Sequence, residues 1–151
     1  MRALPPLLVA CSISIVACNP FAMWGNATSR RGAAEAATAR FHAMLDSAKY
    51  ETIWNEADPE LRNTSQHEDA IALFRMVNRR FGPMEGMKLV GWNVNFSTSN
   101  GTLVRLQYRT GFARDSATET FVWRIRDDQP TLLNYNINSP ALLRAMVEEK
   151  D

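Results

Sequence analysis

The chain changes its apolar period from helical to alternating at Gly82 and Pro83, and that switch constrains its fold more than any other feature. Before it, apolar residues recur three and four apart, as on helices; after it they alternate with polar ones, as on strands with one buried face. Helices grouped ahead of strands, rather than interleaved with them, predict an α+β domain whose helices cover the apolar face of an antiparallel sheet.

In the helical half, Ala34, Ala37, Phe41, Met44, Leu45 and Ala48 define one face of a helix expected from Ala33 to Lys49. Tyr50, Ile53, Trp54 and Ala57 predict a second, short helix. Asp58 and Pro59 stop it and suit the cap and first turn of another. Ser65 and Glu68 spell a capping box for a helix that ends at Phe81, with Ala70, Ile71, Phe74, Val77 and Phe81 inward. Arg75, Arg79 and Arg80 crowd its last turns, where the helix dipole favours cations. The dipole accounts for them without an anion site.

In the strand half, Val90, Trp92, Val94 and Phe96 alternate with Gly91, Asn93 and Asn95. Asn100 and Gly101 form a hairpin signal requiring positive φ at both centres. The next strand places Val104, Leu106, Tyr108 and Phe112 on one face, and Arg105, Gln107 and Arg109 on the other. After a turn at Arg114 to Ser116, Phe121, Trp123 and Ile125 alternate with Thr120, Val122 and Arg124. A turn at Asp127 to Pro130 leads to Leu133, Tyr135 and Ile137. Connections this short predict a four-stranded antiparallel meander.

The amino terminus carries an address. Arg2 precedes an apolar run from Ala3 to Ala17, and Ile15, Val16, Ala17 and Cys18 end it. A membrane-spanning helix needs roughly 18 or more apolar residues; this run is shorter and is broken early by Pro5 and Pro6. Leu8 to Cys11 imitates the ending, but a cut there leaves too short an apolar core for export. The segment resembles a bacterial lipobox. That resemblance implies a diacylglyceryl group on the Cys18 thiol, removal of residues 1–17, and palmitate-type acylation of the new terminus. Asn19 replaces the Asp that retains such proteins at the inner membrane, so the outer membrane, facing the periplasm, is the expected site.

Residues 18–32 read as a tether, with Trp24 at the membrane interface; residues 33–139 form the domain. Residues 140–151 are a helical tail with Leu142, Leu143, Met146 and Val147 as its stripe. The chain has 2 cysteines. With Cys11 removed and Cys18 acylated no disulfide forms, so the apolar core must hold the domain. Basic and acidic residues number 17 and 16, a balance that argues against nucleic acid as partner, since phosphates demand a basic excess. Asn26, Asn63, Asn95 and Asn100 begin N-x-S/T triplets, which carry no meaning behind a lipobox.

The order of elements resembles the cone-shaped nuclear-transport-factor-two-like fold, in which a curved sheet wraps a long first helix. Within that superfamily, the stretch from Phe41 to Ser139 is similar to small exported bacterial domains of unknown function, a resemblance carried by Tyr50 and Trp54, then Phe81 to Pro83, Gly91 to Phe96, and Tyr135 to Asn138. It implies fold alone, because such folds include isomerases, dehydratases and non-catalytic scaffolds. No pair of inward acids matches the isomerase-like members. His42, one turn before Asp46, and His67, in the first turn of the capped helix, read as solvated, and neither has metal-ligand spacing. No cofactor, metal or catalytic residue is therefore assigned, and a non-catalytic binding or assembly domain is expected. Phe41, Tyr50, Trp54, Trp92, Tyr108, Trp123 and Tyr135 are the candidates for a cone pocket that takes an apolar ligand. The polar sheet face, with Arg105, Gln107, Arg109, Arg124, Arg126, Asn134 and Asn136, is the candidate surface for a homodimer or an envelope protein partner.

Overall fold

The computed structural model describes residues 20–96 and 100–140. Helices α1 (Pro20–Asp46), α2 (Tyr50–Asn55), α3 (Pro59–Thr64) and α4 (His67–Phe81) precede strands β1 (Met84–Asn95), β2 (Thr102–Phe112), β3 (Ser116–Arg126) and β4 (Gln129–Asn138). The strands form one open antiparallel sheet in the order β1-β2-β3-β4. The α+β layering is thus the one the period switch predicts. The leader, Cys18, the side chain of Trp24 and the stripe from Leu142 to Val147 lie outside the described residues.

Helix α1 differs from expectation at both ends. It begins at Pro20 rather than Ala33, so residues 20–32 are helical where an irregular tether was expected. Polar contacts from Arg30 and Arg31 hold the end of this stretch to the sheet. Arg30 pairs with Asp128 at 2.6 Å, and the Arg31 guanidinium sits 5.0 Å over the Trp92 ring. At the other end Ala48 is an exposed turn residue with φ of 55°. The buried stripe is Ala34, Thr38, Phe41, His42 and Leu45. The Thr38 hydroxyl donates to the Ala34 carbonyl at 3.0 Å and accepts the Trp123 indole N–H at 2.9 Å, which fastens α1 to β3.

The short helices form as expected, with Pro59 in the first turn of α3 and the Asp58 carboxylate accepting the Glu60 N–H at 3.0 Å. The capping box does not form. Ser65 closes α3, its N–H bound to the Leu61 carbonyl at 3.0 Å, so α4 starts one step later with Gln66 as its N-cap. The far end of α4 is as predicted, with Gly82 at φ of 76° donating its N–H to the Asn78 carbonyl at 2.9 Å. Ile71, Phe74, Val77 and Phe81 are buried.

Strands β2 and β3 keep the predicted alternation, while β1 breaks register twice, at Met84/Gly86 and Leu89/Gly91, and β4 once. Leu89 faces Tyr108 and Gly91 faces Gln107, leaving Val90 unpaired; Leu132 faces Trp123 and Asn134 faces Val122, leaving Leu133 unpaired. One inserted residue exchanges the two faces of a strand. Hence Leu132 is buried in place of Leu133, and Val90, expected inward, is exposed. Trp92 and Val94 do share the inward side, opposite Leu106 and Val104. The tight turn with positive φ at both centres falls at Asp127 and Asp128, at 48° and 61°, closing the Arg126 to Gln129 pair. Gly101 has φ of 80°, and a Cβ there would meet the Ile125 carbonyl at 2.9 Å.

Candidate functional site

Strand parity carries one acid into the interior. Glu119 lies on the same side of β3 as Phe121 and Trp123 and is fully buried. The Thr110 hydroxyl donates to its Oε2 at 2.5 Å, and the Tyr135 hydroxyl donates to its Oε1 at 2.7 Å. Helix α1 adds His42, also fully buried, with Nε2 3.1 Å from Glu119 Oε2. That separation permits charge pairing, but the imidazole is not aligned for a hydrogen bond, and neither ring nitrogen has a hydrogen-bond partner among the described residues. Rings fill the space around the cluster. The centroids of Phe41, Phe121 and Phe112 stand 5.6, 5.8 and 6.0 Å from that of His42. Burial, then the Glu119 charge, then the hydrogen bond to it hold the Tyr135 phenol well above its ordinary pKa. Tyr135 therefore stays a hydroxyl donor at neutral pH.

His42 is thus an interior residue and not a solvated one. Asp46, its expected neighbour, instead accepts the Met84 N–H at 3.3 and 3.4 Å. His67 is exposed as expected, 2.8 Å from Glu51. A carboxylate beside an imidazole is an ingredient of acid–base chemistry. Here neither side chain lines the cleft between α1 and β4 or the one between α3, α4 and β4.

A second polar cluster lies where α3 meets β3 and β4. Arg124 was expected on the solvated sheet face, yet it is 7% exposed, because α3 covers it. Its guanidinium reaches Asp58 Oδ1 at 2.8 Å and Glu60 Oε2 at 2.6 Å. Thr131 donates to Asp58 Oδ2 at 2.9 Å, and the Asp58 N–H binds the Leu132 carbonyl at 2.9 Å.

Two surface clefts border these clusters. The larger, of about 560 Å³, runs between α1 and the start of β4, with Ala33, Ala37, Phe41, Trp123, Pro130 and Leu132 in its walls. Arg40 and Glu56 also line it, joined by two contacts of 2.8 Å. The smaller, of about 190 Å³, lies between α3, α4 and β4, with Phe74 and Tyr135 among its lining.

The aromatic candidates do not converge on one cavity. Phe41 and Trp123 line the larger cleft and Tyr135 the smaller. Tyr50 and Trp54 pack half-buried against the core. Tyr108 is buried, its pKa pushed up to about 12, chiefly by burial and then by the Glu35 charge, with Arg31 opposing. Trp92 stands apart, 43% exposed beneath Arg31.

Sequence reasoning missed Glu119, Thr110 and His42, although the signal was present. Counting by two from Phe121 reaches Glu119, and counting by two from Tyr108 reaches Thr110. His42 follows Thr38 by one helical turn on the buried stripe. Among the described residues no cluster of His, Cys, Asp and Glu could hold a metal ion, and no helix is long and apolar enough to cross a membrane. Residues 36–135 match the family described as a protein of unknown function (DUF4019), and the chain belongs to that family. Comparison with curated proteins finds no match.

Proposed function

We propose that this member of the DUF4019 family is an acylated lipoprotein of the bacterial envelope whose domain binds, and does not transform, an apolar ligand in the cleft between α1 and β4. The cleft carries the reading. About 560 Å³ with largely apolar walls falls within the roughly 300–1,000 Å³ of small-molecule sites. The sealing of His42 and Glu119 away from both clefts supports binding over catalysis. The leader and Cys18 support the anchor, and Asn19 supports the outer membrane. A nuclear-transport-factor-two-like relationship is supported by the order of elements, with α1 laid on one side of an antiparallel meander.

Intact mass of the protein taken from cells tests the anchor, with acyl chains on Cys18 as the expected result. For the cleft, a panel of envelope lipids and aromatic metabolites is screened by thermal shift against the native protein and Ala37→Trp, which fills the cavity. A ligand that binds only the folded state raises the melting temperature. The expected outcome is a rise of several degrees in the native protein, abolished in the variant. No shift across the panel removes the ligand-binding reading.

A further inference from the structure

Trp92 and Phe96 are 43% and 46% exposed along β1 and just past its end. Large apolar side chains on the open edge of a sheet mark a contact surface. We propose that this stripe seats the domain on the membrane that holds its anchor, with Trp92 and Phe96 resting in the headgroup layer of a zwitterionic phospholipid surface. The proposal rests on acylation of Cys18 and extends it.

The course of the chain argues for this occupant. Asn19 alone separates Cys18 from Pro20, the first residue of α1, and one residue spans at most ~3.6 Å. The start of α1 is therefore held at the bilayer surface. Strand β1 then runs back along α1 toward that end. Its first residue, Met84, meets Asp46 at the carboxyl end of α1, whereas Trp92 meets Arg31. At ~1.5 Å per residue, Arg31 lies ~16 Å along the helix from Pro20, so the seat requires α1 to lie along the membrane surface, since the interfacial layer is only several Å thick. Phe96 continues in the same direction, toward the anchor.

The chemistry fits as well. An indole under a guanidinium presents an apolar body with a polar, charged rim, the combination that settles at the boundary between hydrocarbon and water. Charge does not supply the attraction. Arg30 is paired with Asp128 and Arg31 with Glu35, and the exposed charges of the same region are of both signs, Arg105 and Arg126 with Asp127. That balance is why a zwitterionic surface is specified.

The test uses the full-length protein purified from cell membranes and placed in phosphatidylcholine vesicles with brominated acyl chains, which quench nearby tryptophan emission. Trp24→Phe is compared with Trp24→Phe combined with Trp92→Phe; the latter change keeps a ring at the site, and circular dichroism confirms the fold of both. Quenching at least ~2-fold stronger in the protein that retains Trp92 is the expected result for an interfacial indole. Equal quenching in the two, with acyl mass present, overturns the seat while leaving the anchor standing. Absence of acyl mass removes both together. Shielding of Trp92 in a species that light scattering shows to be a dimer assigns the stripe to a second copy instead, and also overturns the proposal.

Discussion

Asp58 and Glu119 are both fully buried, yet their surroundings differ in kind. Asp58 meets an aligned guanidinium, a hydroxyl and a backbone N–H, and its own N–H is bound to β4. Glu119 meets two hydroxyls and an imidazole that is close but misaligned. The first carboxylate ties elements together at the margin of the sheet; the second specifies how the interior is arranged. A buried charge is tolerated in a protein when its partners satisfy it. The two sites meet that condition by different means, charge at one and neutral donors at the other.

The contrast is broken most severely at Asp58. Asp58→Ala strands the Arg124 guanidinium under α3 and removes the α3 cap, so a loss of about 3–5 kcal/mol is expected, as for other broken buried pairs. It is read from the urea midpoint at unchanged slope. A loss no larger than that of a surface substitution would refute the tie.

Next in size is Tyr135→Phe, which removes one donor from Glu119 and is expected to cost about 1 kcal/mol at neutral pH. It also changes the alkaline limb. The folded Tyr135 pKa lies above its unfolded value of about 10, so the associated stability is present below pH 10 and is lost as pH rises beyond it. Tyr108 adds its own loss between about 10 and 12. The difference between native and variant stability should therefore narrow above pH 10; a constant difference would place the tyrosine–glutamate contact elsewhere.

The smallest effect is expected at His42. Neither ring nitrogen has a hydrogen-bond partner among the described residues and aromatic rings surround it, so His42→Leu should change stability by no more than ~1 kcal/mol in either direction. A cost of ~3 kcal/mol or more would identify the imidazole as the charged partner of Glu119.

The framework was legible in the sequence because period is set by geometry. Helical spacing located the buried face of α4, and alternation located those of β2 and β3. Two kinds of residue escaped. Glu119, Thr110 and His42 occupy inward positions by spacing, but a polar residue on an apolar face reads as an interruption until its partners are seen. Those partners come from α1, β2, β3 and β4, distant in sequence. The bulges at Val90 and Leu133 escaped for a different reason. One extra residue inverts parity without altering composition, so only the pairing of neighbouring strands reveals it.

The bond from Asp58 N–H to the Leu132 carbonyl places α3 against the outer side of β4, while among the described residues β1 has no strand on its other side. Strand addition is thereby polarised. A copy that docks β1 to β1 uses the same margin of both molecules, and such a two-fold contact closes on itself. Among the described residues, edge-to-edge pairing of this sheet through β1 closes at two copies rather than extending.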